Sequence, residues 1–204
     1  MKILVADKLS TRVLDALRAT GAEVRCEPDR KAEELPQVAG DADVLIVRSK
    51  KVTAQTIESA PRLALVIRAG AGVDTIDVGA ASARGIYVSN CPGKNADAVA
   101  ELAVALLLAA DRRIVDATVS LREGKWRKAE FGKARGLKGR TLGLIGFGTI
   151  ARAVARRALG LEMKVLAWSR RLTDEAAAAA GVARAASPLE VARASDAVSV
   201  HVAS

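Results

Sequence analysis

Short, uninterrupted apolar runs recur along the first part of this chain, and segments of helical character separate each run from the next. The runs cover residues 3–6, 44–47, 63–69 and 86–88, with a further strand predicted around Val24. A strand that is apolar along its whole length is buried on both faces of its sheet, which is typical of parallel strands covered by helices. The pattern therefore predicts an α/β fold for this region.

A cluster of turn-forming residues at positions 90–95, Asn-Cys-Pro-Gly-Lys-Asn, interrupts this pattern. We therefore predict two domains, residues 1–95 and residues 96–204. The second domain is predicted to begin with one helix over residues 97–117, which is nearly apolar on all sides in its first half and so needs to be covered. The basic segment 124–140 has little periodicity and is predicted to be a surface loop.

The pattern from residue 141 onward is strand, glycine turn, helix, strand, two helices and strand. The strands are predicted at residues 142–145, 165–168 and 197–202, and the helices run to about residue 159, over 174–180 and over 188–194. This order is one βαβαβ half of a doubly wound parallel sheet. The fold class is therefore α/β, and the second domain is predicted to be an incomplete Rossmann domain.

The glycine turn between the first strand and helix of this second domain points to a dinucleotide site. Gly146 permits the tight turn, and Gly148 lets the backbone approach a pyrophosphate held at the helix N-terminus. Ala151 occupies the third glycine position of the pattern. Since a strand precedes this turn, a helix follows it and a second strand comes about 20 residues later, its context is that of a nucleotide site.

The residues after the second strand of this domain bear on which dinucleotide binds. An NAD site usually has an acidic side chain there for the ribose hydroxyls, whereas this chain has Ser169, Arg170 and Arg171. Two guanidinium groups can pair with a 2′-phosphate. The sequence therefore favours NADP over NAD, and the alternative is that both arginines are solvated and NAD is used.

In the first domain, charged residues and a glycine-rich turn follow two of the predicted strands. Arg48 ends one strand, and Arg68 ends the next, immediately before Gly70, Ala71 and Gly72. Free backbone amides in such a turn can bind an anion. The arrangement predicts a small substrate with a carboxylate or phosphate group. The alternative is that one of the arginines only pairs with an acidic neighbour, Asp7 or Asp74.

Two roles are possible for each of three further polar residues. Lys94 and Asn95 lie in the turn between the predicted domains, and they are either substrate contacts or ordinary loop residues. His201 is the single histidine and lies at the end of the last predicted strand. Without a carboxylate partner nearby in the sequence, it is predicted to be a packing residue rather than a general acid.

Composition bears on the partners of the chain. Lys and Arg number 32 against 23 Asp and Glu, which gives a formal charge of +9. The basic residues are interleaved with acidic ones instead of being concentrated on one element. Aromatic residues make up only 2% of the chain, which argues against stacking platforms for single-stranded nucleic acid. We therefore expect no nucleic-acid partner.

Cysteine usage and hydropathy bear on location. Cys26, Cys91 and His201 are too few for a four-ligand zinc site or a disulfide framework, so we expect no metal and a reduced, cytoplasmic setting. The N-terminus turns acidic at Asp7, too soon for a signal peptide. The longest apolar stretch, residues 98–110, contains an acid and is too short to span a bilayer, so no membrane association is expected.

Several short strings occur in an order that resembles a known family, the D-isomer-specific 2-hydroxyacid dehydrogenases. They are Val47-Arg48-Ser49, Val52-Thr53-Ala54, Arg68-Ala69-Gly70-Ala71-Gly72-Val73-Asp74, Gly85-Ile86-Tyr87-Val88-Ser89-Asn90, Val99-Ala100-Glu101-Leu102, Gly124-Lys125-Trp126 and Gly143-Leu144-Ile145-Gly146-Phe147-Gly148. The resemblance covers essentially the whole chain. It implies a flavodoxin-like N-terminal substrate domain followed by the dinucleotide-binding domain.

The resemblance also implies a reaction and roles for individual residues. Family members transfer hydride between C4 of a nicotinamide and C2 of a small hydroxy or keto acid. Arg48 and Arg68 are implied to lie beside the anionic substrate, and the amides of residues 70–72 to receive its carboxylate. Thr149 and Ile150 are implied to cover the cofactor pyrophosphate. The helix that starts near residue 97 is implied to build a homodimer.

The catalytic residues of this family are expected beyond Ser204. They are an arginine, a glutamate and a histidine, and no Glu/His pair is evident in this sequence. We therefore name no catalytic residue here, and the 204-residue form is expected to lack the family's catalytic segment. One alternative is a non-catalytic dinucleotide-binding or cofactor-sensing protein, since a fold does not fix a function. A weaker alternative is nucleic-acid association through the basic surface.

Overall fold

The chain consists of two compact units in a computed structural model that describes residues 1–202. The first unit comprises Met1–Lys94, and the second begins at Asn95. Ala203 and Ser204, which the predicted second domain includes, lie outside the described residues. The two units are described in turn.

The first unit is built on a five-stranded sheet in which every pairing is parallel. Its strands are β1 (Lys2–Val5), β2 (Glu23–Cys26), β3 (Val44–Val47), β4 (Leu65–Arg68) and β5 (Tyr87–Ser89). They lie in the order β2-β1-β3-β4-β5. This is the flavodoxin-like order with a switch point between β1 and β3, so the predicted parallel α/β fold is confirmed.

Both faces of this sheet are buried because its side chains alternate between two hydrophobic clusters. Leu4, Leu45 and Val66 point to one face, where Leu35, Ile57 and other helix residues cover them. The alternate residues of the same strands point to the other face, against α1. Each fully buried Leu, Ile or Val stabilises the unit by about 1.5–3 kcal/mol relative to an exposed one. The uninterrupted apolar runs of the sequence follow from this double burial.

Two of the four helices of the first unit begin at residues that cap them through their side chains. They are α1 (Thr11–Arg18), α2 (Leu35–Val38), α3 (Ala54–Glu58) and α4 (Val78–Ala83). The Thr53 side chain accepts a hydrogen bond from the Thr56 amide at the start of α3. The Asp77 side chain does the same for the Ala80 amide at the start of α4. Such caps satisfy amides that the first turn of a helix leaves without a partner.

The second unit is also α/β with a parallel sheet. Its strands are β6 (Thr141–Ile145), β7 (Lys164–Trp168), β8 (Ala183–Arg184) and β9 (Ala197–Val200). Their order, β8-β7-β6-β9, is that of the first half of a Rossmann sheet. Its helices are α5 (Ala96–Asp111), α6 (Ile114–Arg122), α7 (Lys128–Phe131), α8 (Thr149–Gly160), α9 (Asp174–Ala179) and α10 (Pro188–Ala194).

The core of the second unit is formed by small residues that let helices approach the sheet closely. Ala151, Ala158 and Ala100 are fully buried where α8 and α5 pack on each other and on the sheet. On the other face, a Cβ atom at Gly143 of β6 would lie 2.5 Å from Val191 Cγ1 of α10. Since real Cβ atoms do not come that close to a neighbour, glycine at position 143 is what allows α10 to pack on β6.

The prediction of one continuous helix over residues 97–117 is wrong. Arg113 adopts a left-handed backbone conformation, φ 49°, which ends α5 and separates it from α6. A left-handed residue cannot continue a right-handed helix. Side chains such as Leu102 and Leu106 are exposed in the single chain, so residues 1–202 leave one face of α5 uncovered. Among residues 1–202, neither α5 nor another helix has the length and apolar character needed to cross a bilayer.

The prediction of a structureless loop over residues 124–140 is only partly right. The short helix α7 lies within it, and the side chain of Arg113 stacks 4.9 Å from the centre of the Phe131 ring. This segment is also tied down by Asp111, which accepts hydrogen bonds from the Gly136 amide and the Arg140 side chain. Such long-range contacts give no periodic signal in the sequence.

The turn after β6 approaches the end of β9 so closely that it leaves no room for a side chain. Gly146 has φ +90°, and a Cβ atom there would lie 2.7 Å from the carbonyl carbon of His201. The His201 amide in turn donates to the carbonyl of Ile145 at 2.7 Å. Glycine is therefore required at position 146 both by its backbone conformation and by its neighbour.

Replacing Gly146 tests this close approach. Gly146→Ala is expected to lower the free energy of unfolding of the second unit by about 2–4 kcal/mol, because a positive φ costs an alanine about 1–2 kcal/mol and overpacking adds a similar amount. Both tryptophans, Trp126 and Trp168, belong to the second unit, so their fluorescence during urea unfolding reports its stability.

The matched control is Gly148→Ala in the same turn. Gly148 has φ −82°, and no atom lies within 4 Å of a Cβ atom built there. The control is expected to change the free energy of unfolding by less than about 1 kcal/mol. Equal stability of the two variants would show that the turn does not contact the end of β9 as described.

Candidate functional site

In the first unit, the predicted anion-binding residues meet where β3 and β4 end. Arg48 directly follows β3, and Arg68 is the last residue of β4, the strand paired with β3. The Arg48 side chain is exposed and forms no ion pair with any described residue. The Arg68 side chain is only 19% exposed and is held by its neighbours. Of the two arginines, Arg48 is therefore the one whose guanidinium group is not held by another described residue.

Arg68 joins the two loops of this edge. Its Nε donates to the Arg48 carbonyl at 3.2 Å, and its Nη1 donates to the Gly72 carbonyl at 3.1 Å. Asp74 lies 3.9 Å from Nη1 and is largely exposed, so this ion pair is weak. A Cβ atom at Gly70 would lie 2.9 Å from the same guanidinium group. Glycine at position 70 therefore lets the Arg68 side chain lie flat against the turn.

The turn formed by Gly70, Ala71 and Gly72 offers two free amides, not the three predicted. The Gly70 N–H donates to the Arg68 carbonyl at 2.8 Å, so the prediction of a free amide at position 70 is wrong. The N–H groups of Ala71 and Gly72 have no acceptor among residues 1–202. Two adjacent free amides next to a guanidinium group form a local positive potential that suits a carboxylate.

Asp7, which follows β1, holds the loop with Arg48 in place through backbone amides and not through an ion pair with the Arg48 side chain. Its Oδ2 accepts hydrogen bonds from the amides of Arg48, Ser49 and Lys50 at 2.7, 3.0 and 3.1 Å. Burial opposes the charged form, but these three donors outweigh it and the pKa of Asp7 lies below its ordinary value. The charged carboxylate therefore stabilises the unit at neutral pH, and this stabilisation is lost as the pH falls through the lowered pKa.

Lys94 and Asn95 are both exposed. Lys94 is the last residue of the first unit, and Asn95 is the first residue of the second. Asn95 is the N-cap residue of α5, but its side chain makes no capping hydrogen bond. Neither side chain forms a hydrogen bond or ion pair with another described residue, so nothing within residues 1–202 assigns them a structural task.

In the second unit, the turn between β6 and α8 has the properties of a phosphate site. Gly148 is exposed, precedes α8 and has open space around it. The amides of Thr149, Ile150 and Ala151 in the first turn of α8 have no acceptor among the described residues. Free amides and the positive end of the helix dipole both favour an anion at this position. These residues fit the pyrophosphate of a dinucleotide.

The third position of the glycine pattern serves packing. Ala151 is fully buried in the core of the second unit, where its methyl group fits between helix and sheet. Phe147 is also buried, and the guanidinium group of Arg152 stacks 4.6 Å from the centre of its ring. The turn is thus anchored on both sides by buried residues, and Gly148 and Thr149 between them are exposed.

The residues after β7 lie beside this turn. Ile145 at the end of β6 pairs with Trp168 at the end of β7, and the Gly146 amide donates to the Trp168 carbonyl at 2.8 Å. Ser169 follows and is half-buried, while Arg170 and Arg171 are exposed and form no hydrogen bond or ion pair with any described residue. The two arginines are therefore available to a phosphate group near the turn.

His201 lies next to the same turn but has no carboxylate partner in the described part of the chain. Its Nε2 lies 2.9 Å from Ser199 Oγ, and burial lowers its pKa below the ordinary value. The imidazole is therefore neutral at pH 7. Its backbone carbonyl is the group that excludes a side chain at Gly146.

Known proteins match this chain over most of its length. The family model described as "D-isomer specific 2-hydroxyacid dehydrogenase, catalytic domain" matches residues 3–199. The chain is 41% identical over 203 residues to a D-3-phosphoglycerate dehydrogenase of Archaeoglobus fulgidus, covering 99% of the chain and 38% of that relative. It is 48% identical over 163 residues to a hydroxypyruvate reductase of Thermotoga maritima, covering 79% of the chain and 52% of the relative.

Solved structures resemble the chain over nearly its whole length. An acyclic imino acid reductase in complex with NADPH and D-Arg matches with a TM-score of 0.83 and 31% identity, over 99% of this chain and 65% of that one. An NAD-dependent formate dehydrogenase from Staphylococcus aureus in complex with NAD matches with a TM-score of 0.84 and 28% identity, over 99% and 65%.

The chain thus spans between about a third and two thirds of the length of these proteins. The family model covers far more than half of the chain, and the relatives agree with it over the same residues. The chain belongs to the D-isomer specific 2-hydroxyacid dehydrogenase family.

Proposed function

We propose that this chain supplies the dinucleotide site and the acid-binding site of an NAD(P)-dependent oxidoreductase that transfers hydride between a nicotinamide and C2 of a small D-2-hydroxy or 2-keto acid. The observation that supports the proposal most directly is the turn around Gly148, with open space above it and free amides in the first turn of α8. Membership of the D-isomer specific 2-hydroxyacid dehydrogenase family supports the assignment of a dinucleotide to this turn.

The acid-binding site orients the substrate through directed hydrogen bonds and neutralises its negative charge. The amides of Ala71 and Gly72 bind the substrate carboxylate, and the guanidinium group of Arg48 neutralises a second anionic or polar group. Arg68 keeps the two loops together and adds positive potential. Fixing the carboxylate fixes the position of the neighbouring C2 atom, so the site orients the carbon that reacts.

The dinucleotide site works through free amides at a helix N-terminus. Gly148, Thr149, Ile150 and Ala151 hold the pyrophosphate, and Ser169, Arg170 and Arg171 hold the adenosine ribose. A nicotinamide dinucleotide held by these residues would supply the hydride acceptor or donor. Oxidation of a hydroxy acid also releases the hydroxyl proton to a base, and the resemblance implies that this base comes from sequence beyond Ser204. His201 contacts a serine and is assigned no role in proton transfer.

The proposed substrate is 3-phosphoglycerate, which would make the chain part of a D-3-phosphoglycerate dehydrogenase acting in serine biosynthesis. The identity of 41% over 203 residues to the Archaeoglobus fulgidus enzyme supports this choice. Two arginines at one edge also suit an acid with two anionic ends. The hydroxypyruvate reductase of Thermotoga maritima points to hydroxypyruvate as the other acid to test.

The proposed assembly is a homodimer built through α5 and α6. Side chains of these helices and the following turn are unusually exposed for apolar residues: Leu102 59%, Leu106 61%, Val115 66%, Leu121 58% and Trp126 78%. A groove of about 520 Å³ lies alongside them, lined by Ile114, Leu121, Trp126 and Phe131 among others. Apolar surface of this extent is typical of interfaces, and the family resemblance supports the choice of a second copy as its partner.

Dinucleotide binding is the direct test of the proposed function. The wild-type chain is expected to bind NADPH and NADH in calorimetric titrations, and Gly148→Ala is expected to weaken both by about tenfold or more, because the methyl group occupies the space that a pyrophosphate needs. Gly160→Ala, at the far end of α8 and also in open space, is the control and should bind normally.

Failure of the folded wild-type chain to bind either nucleotide would refute the proposed function. A protein that binds nucleotide but reduces neither phosphohydroxypyruvate nor hydroxypyruvate, even when the family's downstream catalytic segment is fused to residue 204, would favour the cofactor-sensing alternative. Turnover of one acid in that fusion identifies the substrate.

The arginines after β7 predict the cofactor preference. Because a guanidinium group pairs with a 2′-phosphate, Arg170→Asp is expected to weaken NADPH binding by about tenfold while changing NADH binding by less than about twofold. Arg193→Asp makes the same charge change at an exposed position on α10 and is the control. Equal loss of both nucleotides in Arg170→Asp would contradict the assignment of NADP.

The proposed dimer is tested by placing charge on the exposed face of α6. Wild-type protein at micromolar concentration is expected to sediment as a dimer, and Val115→Glu combined with Val119→Glu is expected to sediment as a monomer, because each charge would be buried without a partner. Val13→Glu changes a similarly exposed valine of α1 and should leave the dimer intact. A monomeric wild-type chain would overturn the proposal.

A further inference from the structure

The two free amides of the anion-binding turn owe their direction to hydrogen bonds on the opposite side of the turn. The Gly70 carbonyl accepts a hydrogen bond from the Cys91 amide at 2.8 Å. The Ala71 carbonyl accepts one from the Asn90 side-chain amide, Nδ2, at 2.6 Å. Both donors belong to the short segment that follows β5. Two consecutive carbonyl groups of the turn are thus held by two consecutive residues of one neighbouring segment.

Because the peptide group is planar, these hydrogen bonds also fix the direction in which the free N–H groups point. In a trans peptide, the carbonyl of one residue and the N–H of the next point in opposite directions. No cis peptide bond occurs among the described residues. Holding the Gly70 carbonyl therefore fixes the Ala71 N–H, and holding the Ala71 carbonyl fixes the Gly72 N–H. Both N–H groups point away from residues 90–91.

This support matters because the turn is conformationally soft. Gly72 has no side chain, so the peptide between Ala71 and Gly72 can rotate at low cost unless something holds it. A rotated peptide would present a carbonyl oxygen to the anion instead of an N–H. The restraint has to come from outside the turn.

We infer that Asn90 is a positioning residue for the acid-binding site. Its side-chain amide holds the Ala71–Gly72 peptide so that the two N–H groups face the substrate carboxylate. Asn90 is half-buried and does not itself provide the free amides, so it acts through the backbone of the turn. The inference rests on the proposed function, because the proposed substrate supplies the carboxylate.

The role is specific to an asparagine at this position. The Ala71 carbonyl needs a donor, and the asparagine side chain provides an N–H where an aspartate of the same shape provides only acceptor oxygens at neutral pH. Asn90→Asp therefore tests the donor while keeping the shape, and Asn90→Ala tests it without adding a negative charge. Cys91 contributes only its backbone amide, so Cys91→Ala keeps its hydrogen bond.

The experiment is a titration of the full, ¹⁵N-labelled chain with oxamate, a stable analogue of a 2-keto acid, followed by amide NMR signals. In the wild type, the Ala71 and Gly72 amide protons are expected to shift downfield as they bind the carboxylate. In Asn90→Asp and Asn90→Ala, the dissociation constant for oxamate is expected to rise by about tenfold or more and these two shifts to disappear. Ser89→Ala and Cys91→Ala are controls in the same segment and should bind like the wild type.

If Asn90 only stabilised the fold, its replacement would shift amide signals throughout the first unit. The positioning role predicts that the amide signals of β1, β3 and β4 stay in place in the Asn90 variants, while the loss is confined to the turn. Normal oxamate binding in both Asn90 variants would overturn the inference and leave the proposed function intact. Absence of any shift at Ala71 and Gly72 in the wild type would instead refute the proposed acid-binding site and, with it, the inference.

A measurement on the wild type alone keeps the inference testable if the variants fold poorly. The chain has two asparagines, and only Asn90 is hydrogen-bonded through its side-chain amide in the described structure. Its side-chain protons are therefore expected to exchange with solvent at least about tenfold more slowly than those of the exposed Asn95. Equal exchange rates would show that the hydrogen bond to Ala71 is not maintained in solution, which would overturn the inference.

Discussion

Parallel pairing of buried strands is the constraint on which both candidate sites depend. Within each unit all strands run in one direction, so all of their carboxyl ends lie at one edge of the sheet. Because both faces of such a sheet are covered by helices, the polar groups that bind ligands are left to the loops at this edge. In the first unit these loops follow β1, β3, β4 and β5, and in the second they follow β6, β7 and β9.

The two sites share a physical principle, which is that backbone amides rather than side chains provide the main donors. At the turn after β6, the donors are left free by the start of a helix. At residues 70–72, the donors are left free because neighbouring residues hold the carbonyl groups on the other side. Backbone donors are fixed in place by the fold, so they lose little conformational entropy when an anion binds. Glycine occurs in both turns for a packing reason, since Gly70 leaves room for the Arg68 side chain and Gly146 for the end of β9.

Much of the fold could be predicted from the sequence because its signals are local. Residues 44–47 are apolar throughout, and β3 forms there. Thr53 and Asp77 are residue types that cap helices, and both do so through their side chains. The turn from Gly146 to Ala151 was recognisable because a strand before it and a helix after it are visible in the sequence itself. The Rossmann strand order follows from the alternation of strands and helices.

Other features could not be predicted because they depend on contacts between residues far apart in the chain. The break at Arg113 leaves no glycine or proline signal in the sequence. The Gly70 amide is used by a local turn that the glycine-rich string does not reveal. Asp7 binds the loop after β3 across 41 residues, and Asn90 binds the turn before it across 19. A short polar side chain at the end of a strand looks the same in sequence whether it binds a ligand, a loop or water.

The sequence by itself determined the class of fold, the position of the glycine turn after β6 and the family, since these depend on the order of apolar runs and on strings of neighbouring residues. Only the tertiary structure decided which amides of the anion-binding turn are free, which arginine has an uncommitted guanidinium group and which asparagine supports the turn. The reason is that a hydrogen bond is satisfied or left open by its neighbours in space. Whether a group is available to a ligand is therefore settled only when the strands have come together.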